Sequence, residues 1–399
     1  TPATIHEDPP HDTDSVTENR SNQTGLGMAC SLNWFERVAI IPNHLLHMRF
    51  AHHPVRYAFW EIVLFLGLAI GPGFAFAQET RIPFRNPTVP LDHIWQGELD
   101  GFEADDYLKT LRPMIARFEK VSGRMLIPGE KRKVGLKVYT HSGPGIATPH
   151  PLVQACIQIL QEKGFQRSEI FIIDLDLRLL WESGYISDRN EPEPSYAGVP
   201  VKIILDGNLF DPQWYYDSPI PSERFEYASV TDDLFSWNTL ETDNRKSFLP
   251  LPLLLDVDFW INLPVITDHP ALGINGVMAN ATLWNVSNQY RFLQNPMGAS
   301  AAIAEIAAIP ELRRGLVFSV VSLEKLQFIG GPFFNANYVR SSPELFLSAN
   351  PVALDYVFLD RINRARATSG FRAVAPPPPV FDYAKSLGIG DYDPEVIQI

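Results

Sequence analysis

Several polar residues stand just beyond predicted strand ends, where ligands bind in parallel α/β proteins. Lys137 lies near the end of one predicted strand, and Asp206 directly follows a second. His269 and Asn280 follow a third. An imidazole can act as a base, and an ammonium group can hold an anion. We therefore interpret His269 as a candidate base, Asp206 as its orienting group or a metal ligand, and Lys137 and Asn280 as ligand-binding residues.

A glycine-containing loop follows Lys137 and leads into a predicted helix. Gly143 and Gly145 flank Pro144, and Thr148 stands where a helix cap is expected. Free backbone N–H groups and the positive end of a helix can hold a carboxylate or a phosphate. The glycine spacing matches neither a P-loop nor a dinucleotide fingerprint. A plain strand-to-helix turn is therefore the alternative interpretation.

Two more carboxylates are candidates. Asp355 lies near the start of a predicted helix that begins at Pro351, where the helix dipole favours a negative charge, and we interpret it as ligand-binding. Asp268 adjoins His269, although adjacent residues need not face one site. A carboxylate at a strand end, such as Asp206, can equally cap the next turn.

Signatures of several chemistries are missing from the sequence. It has no His-Glu-x-x-His, no Gly-x-Ser-x-Gly, no Walker loop and no Cys-x-x-Cys. Cys156 lies on the apolar face of a predicted helix and is expected to be a core residue. We predict no particular cofactor and expect no iron–sulfur cluster. A hard cation held by carboxylates stays an open alternative.

The N-terminal region has the layout of an export signal. Met48-Arg49 precedes the apolar run 62–70, Gly71-Pro72-Gly73 breaks it, and Ala75-Phe76-Ala77 offers small residues for cleavage. We predict a disordered or over-extended start at 1–47, a signal peptide at 48–77, and a periplasmic or extracellular bacterial protein. Without cleavage, the run would serve as a membrane anchor. No further apolar run of spanning length follows, so the cleaved chain should have no stable membrane span.

The pattern downstream predicts an α/β protein. Residues 133–174 read as strand, crossover helix and strand, which is a parallel βαβ unit. Strands and helices continue to alternate beyond it. We predict an arm and helix at 78–130, and one main domain at 131–399. Its sheet should be mostly parallel, with helices on both faces.

The net charge of the sequence indicates which kinds of molecule the protein could bind. The 399 residues carry a formal net charge of −13, with 46 acidic and 33 basic residues. No basic patch that could neutralise phosphates is visible, which argues against nucleic acid as a partner. A small anionic molecule stays compatible with a local basic pocket. The sequence makes no prediction of oligomeric state.

Four stretches of the chain, found in order, carry a family resemblance: 134–149, 258–269, 273–280 and 350–355. Together they resemble the domain of unknown function 362 family. The resemblance implies an α/β domain, often linked to ferredoxin-like modules, but no established activity. It places Lys137, Thr148, Asp206, His269, Asn280 and Asp355 on family motif positions. The chain departs from the pattern at Thr267-Asp268 and at Ala279, where the family usually has a lysine.

Three functions compete at this stage. The leading hypothesis is an exported enzyme that binds a small anionic ligand at the carboxyl ends of its strands and performs proton transfer or hydrolysis. The alternative is a non-catalytic envelope or extracellular binding module. The two missing lysines and the aromatic excursion around Trp214-Tyr215-Tyr216 favour it. The third is a relic of a redox protein that has lost its cluster.

Overall fold

A computed structural model describes residues 91–206, 209–218 and 245–399. Its strands are β1 Trp95–Glu98, β2 Val134–Lys137, β3 Ile170–Asp174, β4 Ser195–Tyr196, β5 Val199–Ile203, β6 Phe210–Asp217, β7 Lys246–Pro250, β8 Phe259–Asn262, β9 Ile266–His269, β10 Gly273–Asn275, β11 Leu316–Ser322, β12 Leu326–Gln327, β13 Val339–Arg340 and β14 Glu344–Ser348. Its α-helices are α1 Ala104–Ser122, α2 His150–Glu162, α3 Leu177–Glu182, α4 Leu251–Leu254, α5 Val277–Ala281, α6 Tyr290–Leu293, α7 Pro296–Ala307, α8 Pro310–Gly315, α9 Pro351–Thr368 and α10 Val380–Ser386.

Eight strands form the main sheet, in the order β1-β14-β11-β8-β2-β3-β5-β4. The five central strands, from β11 to β5, run parallel to one another. The outer strands β1, β14 and β4 pair antiparallel. The predicted α/β class with a mostly parallel sheet is therefore confirmed.

Apolar side chains cover both faces of this sheet, as strands buried between helices require. On one face, α1 packs against β11, where the rings of Phe118 and Phe318 are 5.0 Å apart. On the other face, α9 packs against β14, where the rings of Phe346 and Phe358 are 5.2 Å apart. A Cβ atom at Gly135 of β2 would lie 3.2 Å from Leu253 of α4, so the glycine allows α4 to pack closely against this strand.

Two smaller sheets depart from the sequence expectations. We expected His269 to follow the strand that is now β8, but β8 ends at Asn262 and His269 ends a separate strand. That strand, β9, belongs to a four-stranded sheet in the order β10-β9-β12-β13. Part of the expected surface excursion at 206–224 is instead β6, which pairs with β7.

A helix that crosses a lipid bilayer must be long and predominantly apolar. Within residues 91–206, 209–218 and 245–399, no helix combines these two properties. The predicted signal peptide at 48–77 and the segment at 1–47 lie outside the described residues.

Candidate functional site

The strand order places a topological switch point between β2 and β8. From β2 the chain moves outward through β3 to β5, then returns to the other side of β2 with β8 and continues to β11. The loops that leave β2 and β8 therefore diverge to opposite sides. In open parallel sheets, ligands bind at this kind of switch point, beyond the carboxyl ends of the two strands.

Lys137 lies at the end of β2 with no exposed surface. Its Nζ donates to Asp174 Oδ1 at 2.6 Å, to the Val138 carbonyl at 2.8 Å and to Asn280 Oδ1 at 2.9 Å. Asp174 in turn accepts from the backbone and hydroxyl of Thr140. Burial lowers the pKa of Lys137 and Asp174 opposes that shift. All three ammonium hydrogens are donated within the protein, so the expected anion-binding role of Lys137 does not fit this arrangement.

Asn280 extends the same buried network to the neighbouring strands. Its Nδ2 donates to Asn262 Oδ1 at 2.8 Å, and Asn262 Nδ2 donates to Ser319 Oγ at 3.1 Å. These residues join α5, β8 and β11 across the strand ends. Because these side-chain groups bond to protein atoms, Asn280 joins the elements together and offers no free group to a ligand.

The glycine loop after β2 is closed by its own hydrogen bonds. The Gly143 amide donates to the Thr140 carbonyl at 2.9 Å, so it is not free for an anion. Gly143 has φ +88°, a left-handed conformation that favours glycine. At Gly145 a Cβ would overlap the ring of Phe334, and its carbonyl accepts from Lys325 Nζ at 2.9 Å.

Thr148 does not cap the following helix, contrary to expectation. The N-cap of α2 is Pro149, which has no side-chain cap. The Thr148 hydroxyl instead donates to the Leu263 carbonyl at 2.6 Å and accepts from the Tyr139 amide at 2.8 Å. It thereby ties the loop after β2 to the loop after β8, at the switch point.

Asp355 of α9 holds the start of a different helix. Its carboxylate accepts from the backbone amides of Val277 at 2.6 Å and Met278 at 2.8 Å, the first residues of α5. Burial raises the pKa of this carboxyl to about 7, and the two backbone hydrogen bonds oppose the shift. Gly276 permits the approach, because a Cβ there would overlap Asp355 Oδ1. An adjoining cavity of about 10 Å³ has room for roughly one water molecule.

His269 cannot serve as the expected base through its Nδ1 atom. That atom accepts from the backbone amides of Ala271 at 3.1 Å and Leu272 at 3.2 Å. The neutral ring therefore carries its hydrogen on Nε2. Burial, and to a lesser degree the charge of His141, lower the pKa of His269 to about 4. Asp206 is exposed at the end of a 3₁₀ turn, and no hydrogen bond or ion pair of the described residues joins it to His269, so the expected orienting role is not observed.

His141 is the functional candidate that the sequence interpretation missed. It lies in the loop after β2, buried, with its ring stacked 4.2 Å from that of Trp284 and 5.7 Å from that of Tyr290. Its Nε2 is 3.5 Å from the Tyr290 hydroxyl, whereas its buried Nδ1 has no hydrogen-bond partner among the described residues. Burial lowers the pKa of His141 to about 4, so the ring is neutral at pH 7. The signal in the sequence is its position directly after a strand, but its importance depends on the strand order.

A chain of buried polar side chains lies beside His141. The Trp284 indole donates to Asn275 Oδ1 at 2.6 Å, and Asn275 Nδ2 donates to the Tyr139 hydroxyl at 2.7 Å. That hydroxyl is 2.9 Å from Ser142 Oγ. Burial raises the pKa of Tyr139 well above its usual value. The chain fixes the side chains around His141 and keeps the phenol protonated.

Residues 329–335, hereafter the covering segment, bond to the loop after β2 and to β9. The Phe334 amide donates to the Ser142 carbonyl at 3.1 Å, and the Gly331 amide donates to Asp268 Oδ1 at 2.8 Å. Gln327 holds the segment through the Phe333 carbonyl and the Asn335 amide. Phe333 and Phe334 are 70% and 42% exposed. The segment is thereby fixed against the residue that follows His141 in the chain.

Metal-binding residues do not gather at the site. Among the described residues, no group of three or more His, Cys, Asp or Glu side chains is arranged to hold a metal ion. Cys156 is buried in α2, and burial raises its thiol pKa to about 12, which fits a core residue.

Comparisons with known proteins add little. No family model matches the chain, and no curated protein matches it. A crystal structure of a Thermotoga maritima protein from a structural genomics programme is similar at 12% identity, with a TM-score of 0.34. The match covers 69% of this chain and 61% of that one, so the chain spans less than two thirds of that structure.

Proposed function

We propose that this protein binds a small molecule at the switch point between β2 and β8 and acts on it by acid–base chemistry with His141 and His269. The observation that carries this proposal is the unpartnered, buried Nδ1 of His141. A buried polar atom without a partner carries a free-energy cost, which a functional site accounts for. Both imidazoles are buried and neutral at pH 7, so they can exchange hydrogen bonds with a ligand without the cost of burying a charge.

Export and family membership belong to the same proposal. We infer an exported protein of the domain of unknown function 362 family, with its signal at residues 48–77. The contacts between the four stretches behind the resemblance support the family assignment. Lys137 contacts Asn280, Asn280 contacts Asn262, and Asp355 holds the start of α5. One buried network thus accounts for motif positions that lie far apart along the chain.

The test is a panel of small metabolites, read as ligand-induced shifts in melting temperature. We expect at least one compound to stabilise the wild-type protein, and His141→Asn and His269→Asn each to weaken that shift. His93→Asn is the matched control, because His93 precedes β1 at the amino-terminal edge of the sheet. Equal ligand-induced shifts in the wild type and in all three variants would contradict the proposal.

A non-catalytic binding module is the second candidate. The sealed network around Lys137 and the exposed Phe333 and Phe334 favour it, because exposed aromatic side chains often mark interfaces. This alternative predicts no ligand-induced shift from the panel. It also predicts that Phe333→Ser abolishes association with a protein partner while the melting temperature stays unchanged. Ligand shifts that depend on His141 would contradict it.

A further inference from the structure

We propose that His269 is a hydrogen-bond donor, and that the ligand presents a neutral carbonyl-type oxygen to its Nε2–H group. This inference rests on the proposed function, because it names the ligand chemistry of the same site. It replaces the anionic ligand expected from the sequence. It also gives the two histidines different roles, since only His141 has a ring nitrogen free to accept a proton.

Backbone geometry determines the donor role. The amides of Ala271 and Leu272 both point at Nδ1 of His269, and an amide N–H can only donate. Nδ1 must therefore supply its lone pair, which places the hydrogen on Nε2 in the neutral ring. Protonating Nδ1 would set a third N–H against those two. Within the described part of the chain, no hydrogen bond engages Nε2, so this N–H is available to a ligand.

The charges around the site favour a neutral oxygen over an anion. Lys137 donates all three of its hydrogens to protein atoms, and the Gly143 amide is used within its own turn. Asp174 and Asp176 are the acidic groups whose charges act on His141. The cations whose charges act on His141 are Lys137, which is paired with Asp174, and Arg178, which is paired with Glu182. Among these groups, a bound anion would meet the carboxylates without a free cation to balance its charge. A carbonyl oxygen needs only a donor, which His269 supplies.

The neutral state of the His269 ring suits a donor role. Desolvation keeps the ring uncharged, and an uncharged N–H can polarise a carbonyl without the cost of burying a cation. His141 then accepts a proton from the ligand at Nδ1, in the tautomer that carries its hydrogen on Nε2. The aromatic rings of Trp284 and Tyr290 limit water around it.

The experiment is ¹⁵N NMR of the imidazole rings in the full chain, with N-methylacetamide as the neutral probe and acetate as the anionic probe at equal ionic strength. We expect the Nε2–H tautomer of His269 at pH 7. We expect N-methylacetamide to shift the His269 Nε2 resonance and acetate to leave it unchanged. In His269→Gln, which retains a side-chain N–H, the response of His141 to the neutral probe should persist. In His269→Leu it should be lost.

Each contrary result has a separate meaning. An Nδ1–H tautomer would overturn the donor role. A shift with acetate and none with N-methylacetamide would overturn the ligand class while the site itself stands. If neither probe moves the resonances of His141 or His269, the proposed function fails together with this inference. His93 is the internal control, and its resonance should respond to neither probe.

Discussion

Lys137 and Asp174 form a buried ion pair that links β2 to β3 at their carboxyl ends. We predict that Lys137→Met lowers the free energy of unfolding by about 3–5 kcal/mol, because it leaves the Asp174 carboxylate buried without its partner. Urea unfolding measures the loss. Lys109→Met is the control, since Lys109 forms an exposed pair with Asp100 and should change stability little. Equal losses in the two variants would show that Asp174 does not need Lys137.

Asp355 should make stability depend on pH. Its folded pKa of about 7 exceeds the value of about 3.9 in the unfolded chain, so the folded state binds an extra proton between those values. The free energy of unfolding should therefore fall as pH rises from about 4 to 7, at no more than about 1.4 kcal/mol per pH unit. We predict that Asp355→Asn lacks this component. The difference between wild type and variant, measured by urea unfolding at several pH values, should change up to pH 7 and then level off.

A constant difference would contradict this prediction, because it would mean that the carboxyl titrates near its usual value. Wild type alone cannot decide the matter, since His141 and His269 act in the opposite sense. Their folded pKa values, about 4, lie below the usual 6.5, so their contribution is present above pH 6.5 and is lost as pH falls. The Asp355→Asn difference cancels the histidine contributions because both proteins retain them.

At the scale of elements, the side chain of Gln327 makes two of the hydrogen bonds that hold the covering segment. Gln327 is buried and bonds to both Phe333 and Asn335. We predict that Gln327→Ala speeds amide hydrogen exchange of residues 329–335 about tenfold, because each lost hydrogen bond contributes about 0.5–1.5 kcal/mol. Mass spectrometry of the exchanged peptides measures it. Gln158→Ala, at an exposed position of α2, should leave that exchange unchanged. A similar rise in both variants would refute a specific role for Gln327.

Local patterns predicted several helices well. The helix expected within 78–130 is α1 at Ala104–Ser122, and the helix expected to begin at Pro351 is α9 at Pro351–Thr368. Apolar periodicity and capping residues act over a few residues, so the sequence displays them directly. The pairing of β1 with β14 joins Trp95 to Leu347, and nothing local specifies so distant a partner.

The candidate site was only partly predictable for the same reason. Lys137 does end a strand, and Lys137, Asn280 and Asp355 lie in one buried region, whereas the end of β8 and the strand that carries His269 were not predicted. Whether a polar side chain is free or consumed depends on partners from other strands, such as Asp174 for Lys137. His141 became a candidate only when the strand order placed the switch point beside it.

At the scale of the whole molecule, export is the prediction that sets where the protein acts. Residues 48–77 lie outside the described residues. Export is therefore predicted from the sequence alone, by the arginine at 49, the apolar run at 62–70 and the small residues before Gln78. We predict that expression of the full chain in a bacterial host yields a secreted or periplasmic protein whose first residue is Gln78. Intact mass and N-terminal sequencing measure this. Ala77→Phe, which removes the small residue before the cut, should leave the signal attached. An uncleaved wild-type chain in the cytoplasmic fraction would refute export, and one in the membrane fraction would indicate an anchor instead.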